Sequence, residues 1–143
     1  MVEHVQLAGV AADRSVLPLC TVDLAAPAPH ILATRVVGMG SVEMVERVIA
    51  FGDGLRQKVP RICIFHDFTG VKGYQSEARK LLVGWGVDNR DTIAVTHVLF
   101  RSKIVSMGVG VARYLLPGQL EGYSDPGLFE AALAETIEHP PAS

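Results

Sequence analysis

Apolar positions along the chain follow two rhythms: short unbroken runs and longer stretches with a 3.6-residue repeat. "ILATRVVG" (31–38) is rich in β-branched residues and closes on Gly38, which predicts a strand. "SVLPLCTVDL" (15–24) predicts another, with Pro18 suited to a sheet edge or a strand start. "AAPAPH" (25–30) reads as a turn or linker, so the two runs are expected to open the domain as an antiparallel pair. Residues 1–14 read as poorly ordered. "RICIFHDF" (61–68) and "TIAVTHVLF" (92–100) are almost continuously apolar, the pattern of strands buried on both faces in a parallel sheet.

Helical spacing fills the gaps between these runs. Ser41 is a good N-cap, and Met44, Val45, Val48, Ile49 and Leu55 follow on one face, with Gly52 and Gly54 expected to fray the end. Ala78, Leu81, Leu82 and Trp85 mark a second helix, which Gly86 is placed to end. A third, about 102–116, carries Ile104, Val105, Val111, Leu115 and Leu116 and stops at Pro117-Gly118. Residues 119–123 fit a short edge strand. Asp125-Pro126 opens the last helix, with Phe129, Leu133 and Ile137 as its buried stripe. The order β-β-α-β-α-β-α-(β)-α predicts a single α/β domain over 15–138, followed by a tail, 139–143. Its core would be a mostly parallel sheet of four or five strands, flanked by about four helices and built by right-handed crossovers.

Composition narrows the function classes. Of 143 residues, 49% are hydrophobic and 20% charged, with a net charge of −2. Mean hydropathy is +0.30, too apolar for a disordered chain. No basic block is present, so no nucleic-acid partner is expected. The N-terminal residues have no basic segment ahead of a short apolar stretch, unlike a signal peptide, and no run nears the ~20 apolar residues of a membrane span. A cytoplasmic location is expected. Cys20 and Cys63 both sit in strand-like runs, where a thiol behaves as a small hydrophobe and not as half of a disulfide.

Candidate chemistry concentrates in "HDFTGVKGYQSEARKLL" (66–82). His66, Asp67, Thr69, Cys63 and Ser76 lie close in sequence, but adjacent strand residues point to opposite faces, so His66 and Asp67 cannot share one cleft. No GxSxG elbow is present. The five histidines, at 4, 30, 66, 97 and 139, lack metal-ligand spacing, so neither a metal nor a cofactor is expected. "GMGS" (38–41) has too few glycines and no lysine for a phosphate loop and reads as a tight turn. Ser76 precedes the second helix's buried face by two residues. It is therefore expected to be the N-cap, at a position where a phosphate would also be favoured. The third helix has no charge between Lys103 and Arg113. Either it packs closely on the sheet through Gly108 and Gly110, or its outer face is covered by a subunit, a lipid or a membrane surface.

"Asp67-Phe68-Thr69-Gly70-Val71" after an apolar strand resembles the "DLSGV" turn of STAS domains, the anti-sigma-factor antagonist and SpoIIAA-like group. The resemblance runs from about Val22 to Ile137. "ILATRVVGMGSVEMVERV" is similar to that family's strand, glycine turn and first helix, and "DTIAVTHVLFRSKIVSMGVGVARYLL" to its fourth strand and following helix. "GYSDPGLFEAAL" is similar to its closing helix, and the branch most resembled is the bacterial STAS/SEC14-type one. The family's phosphorylated serine lies in a "DSSGL" segment where this chain has "YQSEA". Gap-free counting from Asp67 puts Glu77 on that serine, whereas matching the helix's buried face puts Ser76 there. The aspartate and glycine of that segment are absent here.

The resemblance implies a non-catalytic regulatory, protein-interaction module. Its partner surface and possible phosphosite would comprise Asp67, Thr69, Gly73, Tyr74, Gln75, Ser76 and Glu77. The expected partners are a kinase or anti-sigma-like regulator and a second copy of the chain. The alternative is a carrier of a lipid or other apolar ligand lined by the third helix, and a small hydrolase is a distant third.

Overall fold

The computed structural model describes residues 2–142, with side chains from residue 5 onward. Seven strands form one mixed sheet in strict sequence order. The strands are β1 (Val2–Leu7), β2 (Val10–Val16), β3 (Cys20–Ala28), β4 (Ile31–Gly40), β5 (Ile62–Tyr74), β6 (Ile93–Leu99) and β7 (Leu120–Tyr123). The helices are α1 (Val42–Arg56), α2 (Ser76–Asp88), α3 (Lys103–Leu115) and α4 (Pro126–Glu138). Strands β1 to β4 pair antiparallel and β4 to β7 parallel. The sheet is therefore larger than four or five strands, and its first half is antiparallel.

The additional strands come from residues read as loosely ordered. β1 and β2 join through Ala8 and Gly9, both at positive φ (54° and 80°), the geometry of a two-residue hairpin turn. "Ala-Gly" is not the usual Asn-Gly signature of that turn, so the hairpin has no strong local mark. Pro18 lies in the turn between β2 and β3 and not within a strand. The expected linker at 25–30 shrinks to Pro29-His30, because β3 runs on to Ala28. "GMGS" is not a turn: Gly38 to Gly40 remain in β4. Gly38 has φ +115°, and a Cβ there would stand 2.7 Å from the Leu19 carbonyl oxygen.

Because the parallel strands advance in one direction across the sheet, α1, α2 and α3 fall on one face. Leu32, Val36, Ile64, Val98 and Leu120 of the sheet pack there with Met44, Val48, Ala78, Trp85, Val105 and Ala112 of the helices. α4 follows the last strand and covers the other face, where Phe129 meets Ile31, Cys63, Phe65, Ala94 and Leu99. Burial on both faces explains the unbroken apolar runs of β5 and β6.

Several details differ from the periodicity. α1 continues through both glycines to Arg56, since Gly52 is where Trp85 lies closest: a Cβ would be 2.6 Å from the indole. Gly86 does not end α2, which runs two residues further with Leu116 packed against that glycine. Leu81 and Ile137 are 38% exposed, so Leu82 carries the inward face of α2, while Ala132 and Leu133 pack beside Phe129 on α4. No helix among the described residues is long and apolar enough to cross a membrane.

Candidate functional site

Alternation along β4, β5 and β6 sends Leu32, Thr34 and Val36, then Ile64, His66 and Phe68, then Thr96 and Val98, toward the three helices. Between the β5 and β6 residues of this face and α3 lies a cavity of about 120 Å³, floored by Ile64, His66, Phe68, Thr96 and Val98 and roofed by Val105, Gly108 and Val109. Its walls are overwhelmingly apolar. His66 is 2% exposed, and its Nδ1 lies 2.7 Å from the Thr34 hydroxyl. The imidazole stacks on Phe68, with ring centroids 4.7 Å apart. Burial lowers the His66 pKa from 6.5 to about 3, so the ring is neutral at physiological pH. Its Nε2 makes no hydrogen bond within the described residues.

Tyr74 ends β5 and props α3: its hydroxyl donates to the Ile104 carbonyl at 3.3 Å. Gly108 permits that contact, because a Cβ there would stand 2.7 Å from the tyrosine oxygen. Above the cavity, α3 turns Ile104, Met107, Val111 and Leu115 outward, with exposures of 50%, 70%, 52% and 55%. Its charged residues, Lys103 and Arg113, are both basic. One side of α3 thus lines a cavity, and the other is an unpartnered apolar stripe.

The carboxyl ends of β4 and β5 bring two helix starts together. Ser41 caps α1 by accepting from the Met44 amide at 3.2 Å. Gln75, not Ser76, is the N-cap of α2, and its side chain makes no cap bond to its own helix. Instead its backbone N–H donates to the Gly40 carbonyl at 2.9 Å, and its side-chain Oε1 accepts from Val42 N at 3.1 Å. Gln75 therefore stitches α2 to the first turn of α1. Ser76 is the first residue of α2, exposed, with no side-chain hydrogen bond among the described residues. Glu77, also exposed, pairs with Lys80 at 3.5 Å.

No family model matches the sequence, and no curated protein does. The architecture does have a counterpart. The solved structure of an uncharacterized DUF3478-family protein with a SpoIIAA-like fold, from Shewanella loihica PV-4, is similar with a TM-score of 0.63. Identity is 17%, covering 83% of this chain and 98% of that one. This chain has a SpoIIAA-like fold.

Within the SpoIIAA-like frame, six of the seven residues singled out from sequence separate into two groups, with Gly73 between them. Tyr74, Gln75, Ser76 and Glu77 share the β5–α2 junction. Asp67 and Thr69 lie back along β5, which continues through "TGVKGY" as strand and not as loop. There Asp67 Oδ1 accepts from the Thr69 amide (3.0 Å) and hydroxyl (2.7 Å). That local turn sits in a bulge: β5 uses one more residue than β4 between the pairs Arg35–Asp67 and Val37–Gly70. Gly73 is buried, with Met39 against it.

The nucleophile–base pairs considered from sequence are not brought together. Cys63 faces α4 and His66 faces α1 to α3. Burial raises the thiol pKa of both Cys20 and Cys63, which opposes nucleophilic reactivity. His97 lies on the α4 face, stacked on Phe65 with centroids 4.1 Å apart and its Nδ1 2.8 Å from the Tyr123 hydroxyl. Among the described residues no three His, Cys, Asp or Glu side chains converge as metal ligands. Two residues were missed: Thr96, in the cavity floor, and Thr34, which holds the His66 ring from behind it. The alternations "Leu32-Ala33-Thr34" and "Ile64-Phe65-His66" carry that signal, but a strand apolar on both faces hides which face meets the helices.

Proposed function

We propose that this chain is a non-catalytic, SpoIIAA-like binding module of the cytoplasm, which acts by contact with a protein partner and uses α3 as its contact element. The observation that carries this reading is the outward stripe Ile104, Met107, Val111 and Leu115. Soluble proteins seldom leave so contiguous an apolar face to water unless a partner covers it. Its lysine and arginine suit a partner with acidic groups at the rim of its contact. The candidate partners are a second copy of the chain and a kinase or anti-sigma-like regulator. Ser76 and Glu77, both exposed, offer the β5–α2 junction as a secondary contact and a phosphorylation point.

The test compares wild type with Val111→Lys and Met107→Lys in light scattering and in pull-downs from the native cells. Loss of dimer or of a captured regulator, with the melting temperature preserved, supports the reading. A wild-type monomer that captures the same proteins as both variants overturns it.

A second reading is favoured by the cavity under the same helix: a binding module or carrier for a small apolar ligand held between α3 and the sheet. Native mass spectrometry and extraction of the purified protein test it, through a co-purifying apolar molecule that is displaced by Val109→Trp, which fills the space.

A further inference from the structure

We propose that the cavity beneath α3 binds a small uncharged molecule, one ring or an equivalent branched chain in size, bearing a single hydroxyl that hydrogen-bonds to His66 Nε2. The inference rests on the ligand-binding reading above and adds the class of ligand. Three observations carry it. The first is size. A cavity of about 120 Å³ approaches the ~150 Å³ at which an apolar cavity accepts benzene. A long acyl chain exceeds this volume.

The second is the inventory of polar groups. The polar lining residues are His66, Thr96, Tyr74 and Arg79. The tyrosine hydroxyl is already committed to Ile104. Arg79 belongs to α2 and is half-buried, so its long side chain can reach water while its stem lines the wall. His66 lies at the floor among Ile64, Phe68 and Val98, where its environment holds it neutral. A carboxylate brought to that point would lose its hydration against a neutral imidazole, and the lining offers it one cation, Arg79, whose head group the half-buried position leaves able to stay in water.

The third is the fixed orientation of the imidazole. Thr34 holds Nδ1 and Phe68 holds the ring plane, which leaves Nε2 as the ring's one uncommitted polar atom. The threonine hydroxyl can donate to Nδ1 or accept from it, so Nε2 can be donor or acceptor. A ligand hydroxyl satisfies either tautomer. A ketone would satisfy only one of them, and a hydrocarbon neither.

The experiment titrates the intact chain with phenol, benzene and benzoate, followed by amide NMR shifts and calorimetry. The expected result is phenol bound at least tenfold more tightly than benzene, with benzoate unbound. In His66→Phe, benzene should still bind and phenol should lose its advantage. Long-range imidazole ¹⁵N spectra of the wild type serve as the second readout. Phenol should shift Nε2 and leave Nδ1 in place, and benzene should move neither; this needs no variant to fold. Benzene binding equal to phenol, or a phenol-to-benzene ratio unchanged in His66→Phe, overturns the His66 anchor and leaves the apolar cavity standing. If neither phenol nor benzene binds the folded wild type, the ligand-binding reading itself fails.

Discussion

His66 is the residue on which the helix-covered face of the sheet turns. A histidine with 2% exposure, bonded to Thr34 and stacked on Phe68, must stay neutral to stay folded. In the unfolded chain it titrates near 6.5, while in the fold burial holds it uncharged down to about 3. Between those values the unfolded chain binds the extra proton. Stability from this group is therefore complete above about pH 6.5 and declines as pH falls, at about 1.4 kcal/mol per pH unit once the unfolded form is charged. His97, held neutral to about 4 by burial, declines in the same window. Urea unfolding at pH 7.5, 6 and 5 should give falling midpoints, with a smaller fall in His66→Phe. Equal falls in wild type and variant would mean that His66 takes up its proton in the fold. On the uncovered part of the opposite face, burial alone would push the Asp23 carboxyl upward. Arg14 and Arg35, at 2.8 and 2.7 Å, outweigh it and hold that carboxyl below its ordinary value.

At the scale of elements, the helix starts are unequal, and that inequality is measurable. Ser41, Ser102 and Asp125 each accept an amide of their own helix's first turn: Met44 N, Val105 N and Gly127 N. Replacing a cap of this kind by alanine costs about 0.5–2 kcal/mol. Ser41→Ala should therefore lower stability by that amount, whereas Ser76→Ala should change it by less than about 0.5 kcal/mol, as for a surface site. Denaturant midpoints decide between them, and a large loss at Ser76 would return it to the cap position. The glycines of the helices divide similarly. Gly110 has open space where a Cβ would go, so Gly110→Ala should stabilise α3 by about 1 kcal/mol. Gly52→Ala should destabilise despite the same propensity gain, because its Cβ would overlap the Trp85 ring. Thermal melts of the two variants should move in opposite directions.

For the whole molecule, the sheet is asymmetric in its cover. Three helices lie on one face and α4 lies on the other, and α3 combines a cavity on its inner side with an outward apolar stripe. Self-association through that stripe predicts a scattering mass near twice 15.3 kDa for wild type and a shift toward monomer for Val111→Lys. Val109→Lys tests something else. Val109 faces the sheet and packs on Gly122, so a lysine there should lower the melting temperature instead of setting the oligomeric state. A monomer at high micromolar concentration in the wild type would rule out a homodimer held by α3.

What the chain determined by itself is local. Periods of 3.6 residues placed four helices, unbroken apolar runs placed β5 and β6, and Ser41 and Asp125 ahead of their apolar stripes marked the caps of α1 and α4. Each depends on interactions within a few residues, so each is written in contiguous sequence. The "DFTGV" turn and the closing helix also carried the SpoIIAA-like likeness that the architecture bears out. Tertiary structure decided whatever depends on distant partners. The β1–β2 hairpin acquires its place only by pairing with β3, and β5 extends through "TGVKGY" only because the end of β4 lies beside it. Gln75 displaced Ser76 as the cap because its amide and side chain found Gly40 and Val42, more than thirty residues earlier in the chain. The cavity was the least legible feature. Strands apolar on both faces give no sign of which face a helix will cover, and a void is a mismatch of shapes among three helices and a sheet. It has no residue pattern of its own, so it appears only when they pack.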